Sequence, residues 1–288
     1  MTASPSPHLS VIIAARNEAV WLPRALEALL AQQVDARVQV IVAANACSDD
    51  TAGVARAYAG RIRARGWQLE VLELGPVGKL GALNAAEAVA ASGLRVYLDA
   101  DVVCDPGLIG QVLAALDTPL PRYATGRLVI APTRTRVSGA YARIWSRLPF
   151  FTSGAVGAGF FAINAAGRAR WGDWPCIVSD DTFARLHFAP EERIELPARY
   201  SWPMAEGFSN LVRVRQRQDA GVREVARLYP GLMANEGKPR LRAGDVLGLA
   251  RTAPFGLGVY GAVQLAARLW PAGGEWVQGR GDGPEIGA

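Results

Sequence analysis

Cysteine is scarce in this chain of 288 residues. The three cysteines are odd in number and show no Cys-x-x-Cys spacing, which argues against a disulfide framework or a zinc site and fits a reducing cytosol. They are Cys47, Cys104 and Cys176. No apolar run stands in Met1–His8, so we expect no signal peptide and predict a cytoplasmic protein.

Lysine is almost absent as well. Only Lys79 and Lys238 are lysines among 31 basic residues. The net charge of +5 is modest and dispersed, and no DNA- or RNA-binding motif occurs, so nucleic acid is not expected as a partner. Arginine, which the chain uses instead, binds phosphate and anionic surfaces well. Because lysine is so rare here, Lys79 at the start of a predicted helix is a candidate binding residue.

The chain also lacks a run of the about 20 apolar residues that a spanning helix needs. Residues 252–267 are 16 residues without a charge, between Arg251 and Arg268. We expect the apolar segment 241–271 to lie on the inner face of the membrane, with its arginines towards anionic headgroups. A helix buried against the rest of the protein is the alternative. The Gly-rich tail 272–288 is expected to be disordered.

Half of the residues are hydrophobic, which is enough for a large core. Apolar runs of strand length alternate with helical patterns up to about residue 117, which predicts an α/β fold with a doubly wound, mostly parallel sheet flanked by helices. The predicted strands are Leu9–Ala14, Val38–Ala43, Leu69–Leu72, Val96–Leu98 and, where the alternation loosens, Tyr123–Ile130. The predicted helices lie around residues 22–30, 51–58, 78–91, 106–116, 138–148, 180–188 and 208–228.

Two carboxylates follow the fourth predicted strand. Asp99 and Asp101 stand two residues apart where the strand ends, and side chains at this spacing on a strand point the same way. Ligands of open α/β sheets bind outside the carboxyl ends of the strands. Two hard oxygen ligands at this place suit a divalent cation that carries phosphates. A solvated acidic turn is the alternative.

Further motifs accompany these carboxylates in a definite order. Asn17-Glu18 follows the first strand, a polar segment from Asn45 to Thr51 follows the second, and Gly78-Lys79 opens the third helix. In this order and spacing, the motifs resemble the nucleotide-binding half of the family-two inverting glycosyltransferases, which have the nucleotide-diphospho-sugar transferase (GT-A) fold. The resemblance continues through residues 179–182, which look like the family's Glu-Asp motif, and through 213–221, which look like a degenerate Arg/Gln-x-x-Arg-Trp motif.

The chain departs from the family pattern at three positions. Ala14 stands where the family has proline, and Ala44 where it has the aspartate that reads the nucleobase. The second change leaves the donor's base open. Gln218 replaces the expected tryptophan, which argues against a processive polysaccharide synthase.

The resemblance implies transfer of a sugar from a nucleotide-sugar donor to an acceptor hydroxyl by single displacement. The acceptor would be a sugar or a lipid-linked acceptor. Asp181 would be the general base, and Asp101 with Asp99 would hold a Mg²⁺ or Mn²⁺ ion. The donor-binding residues would be Asn17, Glu18, Asn45, Lys79, Asp99, Arg215 and Arg217. The acceptor-binding residues would be Gly157, Gly159 and Asp180.

The resemblance also implies a division of the chain. Residues 1–240 would form the GT-A domain, with its nucleotide-binding half at about 9–117 and its acceptor half at about 118–240. Two other functions are weighed against this one. A nucleotidyltransferase of similar fold would need a Gly-rich, basic signature in the first β–α turn, which Ala14–Glu18 lacks. A non-catalytic nucleotide-sugar-binding protein is the second alternative.

Overall fold

Within residues 7–239 and 241–270, which the computed structural model describes, eight strands form one sheet. In chain order they are β1 (Leu9–Ala15), β2 (Val38–Asn45), β3 (Gln68–Leu74), β4 (Arg95–Leu98), β5 (Val103–Cys104), β6 (Tyr123–Ile130), β7 (Phe160–Ile163) and β8 (Arg193–Trp202). Their order across the sheet is β3-β2-β1-β4-β7-β6-β8-β5. Neighbours from β3 to β4 run parallel, and so do β6 and β8, which confirms the mostly parallel sheet.

The parallel half of the sheet follows from its apolar runs. Every residue of β2 is buried, and six of the seven residues of β1 are, because helices cover both faces. The edge strand β3 alternates between more and less exposed residues instead. The five predicted strands are all present, each within a few residues of its predicted ends.

Two longer strands were not predicted from the sequence. β7 follows the glycine-rich residues 154–159, and it pairs antiparallel with both β4 and β6. β8 pairs parallel with β6, but the pairing shifts between Gly126 and Arg127, opposite Pro197 and Ala198. Proline has no N–H to donate to a ladder, so a bulge here accommodates it and obscures the strand in the sequence.

Helices and two 3₁₀ segments surround this sheet in the described residues. The helices are α1 (Leu22–Leu30), α2 (Thr51–Ala57), α3 (Ala59–Ala64), α4 (Gly78–Val89), α5 (Leu108–Leu116), α6 (Arg136–Trp145), α7 (Pro149–Ser153), α8 (Ala165–Arg168), α9 (Asp180–Leu186), α10 (Phe208–Leu228), α11 (Ala243–Thr252) and α12 (Pro254–Leu269); the 3₁₀ segments are Pro190–Glu192 and Pro230–Asn235. Two hydrophobic clusters result: the larger one includes residues of α1, α5 and α6, and the smaller one residues of α4 and α9.

The C-terminal segment forms two helices that pack on the domain. Pro254 begins α12 and separates it from α11, in keeping with the preference of proline for the first turn of a helix. α12 packs against α6 and α10, with Val263 fully buried. A Cβ atom at Gly256 would lie 2.9 Å from the carbonyl oxygen of Ala140, so this crossing requires glycine.

No helix among residues 7–239 and 241–270 is long and apolar enough to cross a membrane. Independently of this, Val263 and Ala266 on the inner face of α12 are buried on the protein, as the alternative of a packed helix expected. The predicted disordered tail, 272–288, lies outside the described residues.

Candidate active site

A cleft of about 400 Å³ opens at the carboxyl ends of β1, β2 and β4. These three strands are parallel neighbours, so the turns that follow them meet at one edge of the sheet. The cleft brings together seven residues that the sequence singled out. They are Glu18, Asn45, Lys79, Asp99, Asp101, Asp180 and Arg217.

The two strand-end carboxylates occupy a tight turn that begins where β4 ends. The backbone N–H of Asp99 donates to the carbonyl of Gly159 (2.8 Å), and the carbonyl of Asp99 accepts from the N–H of Val102 (3.1 Å). Asp101 is buried, whereas the Asp99 side chain is 34% exposed. Both residues line the cleft, as the sequence predicted, although the turn and not the strand orients them.

The carboxylates of Asp99 and Asp101 fit a Mg²⁺ or Mn²⁺ ion that is bound together with phosphate. Among the described residues, no group of three or more His, Cys, Asp or Glu side chains is placed to hold a metal ion without further ligands. Mg²⁺ sites at phosphates use one or two carboxylates, with phosphate and water oxygens as the remaining ligands. Asp99 and Asp101 can supply the protein's share of such a site.

Lys79 connects the two carboxylate-bearing parts of the cleft. Its ammonium nitrogen lies 3.0 Å from Oδ1 of Asp99 and 2.9 Å from Oδ2 of Asp180. Burial of the ammonium lowers the pKa of Lys79, but the charges of Asp180 and Asp99 outweigh this effect and raise it. The side chain is still 41% exposed, because it lines an open cleft while protein surrounds its charged end.

Gly78 places this lysine at the start of α4. Gly78 has a φ angle of +74°, in the left-handed region that favours glycine, and it is the first residue of the helix. The backbone therefore turns sharply into α4 beside the cleft. Lys79 follows immediately, so the ammonium and the first N–H groups of the helix lie at the same edge of the sheet.

The two aspartates at the start of α9 face different surroundings. Asp180 is buried in the cleft beside Lys79. Burial raises the pKa of Asp180, and the charges of Asp181 and Asp99 add to this effect, whereas Lys79 opposes it. Asp181 is half-buried and accepts hydrogen bonds from Oγ of Ser179 (3.0 Å) and from the N–H of Thr182 (2.6 Å).

Asp181 lines a second cavity of about 100 Å³ that adjoins the cleft. Gly159 lines it too, and Lys79, Asp99 and Asp180 border both spaces. The divergence of Asp180 and Asp181 follows from helix geometry, since successive side chains do not face the same direction. Asp180, which we predicted as an acceptor-binding residue, contacts Lys79 and borders both spaces, whereas Asp181 lines only the second cavity.

The two arginines of α10 are separated in the structure. Arg217 lines the cleft and the second cavity. Arg215 pairs with Asp219 one turn further along the helix (Nε to Oδ2, 3.1 Å) and contributes to the charge environment of Tyr141. Residues two positions apart on a helix lie on opposite sides, so the structure does not place Arg215 with the predicted donor-binding residues.

The motifs after β1 and β2 are joined by side-chain hydrogen bonds. Oδ1 of Asn17, whose φ angle is +55°, accepts from the N–H of Ser48 (2.8 Å). Asn17 thereby holds the two turns together, while Glu18 and Asn45 line the cleft. Oδ1 of Asn45 accepts from the N–H of Val77 (3.1 Å), just before α4.

The two predicted acceptor-binding glycines differ in their surroundings. Both have positive φ angles, +67° at Gly157 and +76° at Gly159. A Cβ atom at Gly157 would lie 1.8 Å from the hydroxyl of Tyr123, so packing alone requires glycine there. Gly159 lines the second cavity, and its carbonyl oxygen accepts from the N–H of Asp99. It therefore connects the residues before β7 to the turn after β4.

The end of β8 and the connection from β8 to α10 complete the cleft, and the sequence did not predict these residues. Trp202, Pro203 and Ala205 line it. The alternation of apolar residues before Trp202 was the available signal for β8. Pro197 and the bulge beside it masked that signal.

The cleft at the strand ends, with its paired carboxylates, lies in a GT-A fold. A mannosyltransferase from Pyrobaculum calidifontis, solved with GDP-Man and Mn²⁺, is similar to this chain with a TM-score of 0.58 at 20% identity, over 93% of this chain and 77% of that one. S. aureus TarS 1–349, solved with UDP-GlcNAc, is similar with a TM-score of 0.50 at 13% identity, over 90% and 91%. At these identities the similarity concerns the fold. No curated protein matches the chain.

A family model identifies the family of the chain as well as its fold. Residues 10–181, more than half of the chain, match the model of glycosyl transferase family 2. The chain belongs to this family. The matched range contains both strand-end carboxylates and ends on Asp181. The predicted family and fold class are thereby confirmed.

Proposed function

We propose that this glycosyltransferase moves a sugar from a nucleotide-sugar donor to an acceptor hydroxyl, with inversion at the anomeric carbon and with the help of Mg²⁺ or Mn²⁺. The observation that supports it most is the meeting of Asp99, Asp101, Lys79 and Arg217 in one cleft at the carboxyl ends of parallel strands. A cleft of about 400 Å³ has the size typical of small-molecule sites.

The donor would lie along the cleft. Glu18, shortly after β1, and Asn45, the last residue of β2, line the cleft and suit the nucleoside. The diphosphate would lie between the carboxylate pair and Arg217, whose guanidinium can bind two phosphate oxygens at once. A divalent ion held by Asp101 and Asp99 would act as a Lewis acid that neutralises the leaving diphosphate. The solved relatives contain GDP-Man and UDP-GlcNAc, which differ in base and sugar, and this supports the donor class alone.

Asp181 is the proposed general base. Its carboxylate is half-buried beside Gly159 in the cavity that adjoins the cleft, and an acceptor hydroxyl in this cavity would lie next to it. As the acceptor oxygen attacks the anomeric carbon, its proton passes to Asp181 and the bond to the nucleoside diphosphate breaks. Asp180 holds Lys79 in place in this scheme.

We further propose that the protein works at a membrane surface on a lipid-linked acceptor. The outer face of α12 carries three exposed apolar residues, Phe255 near its start and Leu265 and Leu269 near its end; helical periodicity places them on one side of the helix. Val246 and Leu247 of α11 are exposed apolar residues as well. Residues 241–270 contain three arginines and one acidic residue. An apolar face with a basic border suits the headgroup region of an anionic leaflet.

Isothermal titration with UDP and with GDP, each with and without Mn²⁺, tests the enzymatic proposal. We expect the protein to bind one of the two nucleotides and to bind it more tightly with Mn²⁺. Asp101→Asn should abolish the gain from Mn²⁺, while Asp35→Asn, at an exposed aspartate outside the cleft lining, should keep it. An Asp101→Asn protein that keeps the full Mn²⁺-dependent gain would contradict the metal assignment.

A further inference from the structure

We propose that Lys79 is an internal counter-ion of the cleft. In the nucleotide-free protein its ammonium pairs with Asp99, the carboxylate that binds a metal ion once a donor is bound. The inference rests on the metal-dependent function proposed above. It goes beyond that function, because it predicts that the protein's own lysine competes with the metal for the same carboxylate.

The geometry of the ammonium carries this inference. Lys79 is bracketed by one oxygen of Asp99 at 3.0 Å and one of Asp180 at 2.9 Å. Two further carboxylates, those of Asp101 and Asp181, line the same pair of spaces. Asp99 and Asp181 act on Asp180 as like charges, and carboxylates this close repel each other unless a cation stands among them; Lys79 supplies one.

The two carboxylates that pair with Lys79 differ in their exposure to solvent. Asp99 follows β4, Lys79 opens α4 and Asp180 opens α9, so one ammonium connects three elements. The side chain of Asp180 is only 11% exposed, while that of Asp99 is 34% exposed. Asp180 therefore depends on Lys79 for its charge partner, whereas Asp99 can exchange this partner for another cation from solvent.

Competition at Asp99 follows from these contacts. A divalent ion at Asp99 and Asp101 would lie within a few ångströms of the ammonium, and like charges at this distance disfavour each other. Lysine has a long and flexible stem, so its ammonium can leave Asp99 and turn to a phosphate oxygen while it stays near Asp180. The free protein should thus bind metal weakly, and nucleotide and metal should strengthen each other's binding.

Mn²⁺ binding to the nucleotide-free protein tests this inference, with free Mn²⁺ counted by electron paramagnetic resonance. Lys79→Met and Lys79→Gln remove the competing charge, so each should lower the Kd for Mn²⁺ alone by about tenfold. Lys79→Arg keeps the charge and should leave this Kd near the wild-type value. The control is Lys238→Met, which removes the other lysine of the chain; its side chain is 40% exposed and pairs with Glu236 away from the cleft.

The same variants should respond in the opposite direction to nucleotide. With UDP or GDP and saturating Mn²⁺, Lys79→Met should bind nucleotide more weakly, because a phosphate contact is lost. Tighter binding of Mn²⁺ alone by both neutral variants, and not by Lys79→Arg or Lys238→Met, supports the inference. An unchanged or weaker Mn²⁺ affinity in the neutral variants overturns it. This measurement needs no nucleotide, so its failure can be told apart from failure of the proposed function: if the wild type still gains nucleotide affinity from Mn²⁺, only the competition by Lys79 is overturned.

Discussion

At the scale of single residues, neighbouring side chains of the same type lie in different surroundings. Asp180 contacts Lys79 in the cleft, whereas Asp181 lies beside Gly159 in the second cavity. The direction in which a side chain leaves its helix decides which chemistry it can perform. This allows neighbouring residues to serve as each other's controls.

Asp181→Asn should slow sugar transfer and leave donor binding nearly unchanged. Asparagine keeps the size of the side chain and can still accept from Ser179 and Thr182, but it cannot take a proton at neutral pH. Loss of a positioned general base typically costs roughly 10²–10⁴ in rate. Single-turnover transfer and the donor Kd would be measured separately. Near-normal transfer by Asp181→Asn would show that another residue is the general base, and Asp180 would be the next candidate.

Arg217→Gln should weaken donor binding by about 10- to 100-fold, the usual range for a charge-assisted hydrogen bond to phosphate. Arg215→Gln is the matched control, because Arg215 is on the same helix but pairs with Asp219. It should leave the donor Kd within about twofold of the wild type. Equal losses in the two variants would show that long-range charge, and not contact in the cleft, is responsible.

At the scale of elements, α9 is held from both ends. Its first residue, Asp180, contacts Lys79, and the buried guanidinium of Arg185 pairs with Glu236 (2.8 Å), just beyond the second 3₁₀ segment. His187 follows the helix and lies between the rings of Trp171 and Phe183, with centroid distances of 4.7 and 4.5 Å. His187 is therefore a packed histidine and does not line the cleft.

The position of His187 predicts a loss of stability in weak acid. Burial lowers the pKa of His187 from its ordinary value of 6.5, and the charge of Arg170 adds to this, against the hydrogen bond that Nδ1 donates to the carbonyl of Phe183 (2.8 Å). The unfolded chain then binds more protons than the folded one. The free energy of unfolding should therefore be unaffected above about pH 6.5 and fall as the pH drops below it.

Denaturant unfolding at pH 7.5 and pH 5.5 would measure this effect. His187→Gln can still donate to the carbonyl of Phe183 and should lose less stability between the two pH values than the wild type. His8→Gln removes the other histidine, which accepts the N–H of Arg37 at an exposed position, and should behave as the wild type does. If the wild type and His187→Gln lose the same stability, other groups cause the acid sensitivity.

At the scale of the whole molecule, the C-terminal helices present two different faces. Val263 and Ala266 of α12 are buried on the protein, while Phe255, Leu265 and Leu269 are more than half exposed. The outer face can therefore be changed without disturbing the packing of α12 on α6 and α10. This separates membrane binding from folding.

Flotation with vesicles that contain phosphatidylglycerol tests the membrane proposal. The wild type should float with these vesicles, and the triple variant Phe255→Ser, Leu265→Ser and Leu269→Ser should remain largely in the bottom fraction, because it loses most of the apolar area that can enter the lipid. Leu120→Ser is the control at an equally exposed leucine in a loop outside α11 and α12. Equal flotation of the wild type and the triple variant would remove this proposal.

The sequence predicted the local features well and the non-local ones poorly. The ends of α10 were predicted at residues 208 and 228, where the structure has them, because Gly207 and Pro230 bound the segment on its two sides. β7 directly follows Gly157 and Gly159, which signal a turn, and β8 contains Pro197, so neither segment shows a clear strand pattern. The cleft residues Trp202, Pro203 and Ala205 were missed together with β8.

The sequence by itself determined the parallel half of the sheet and the residues at its carboxyl edge. Continuous apolar runs such as β1 and β2 are stable only when helices bury both of their faces, so the turns after them must meet at one edge. Only the tertiary structure decided which side chains share the cleft. It placed Lys79 between Asp99 and Asp180 and turned Arg215 away, because these outcomes depend on helix orientation and on contacts between distant segments, which no local pattern encodes.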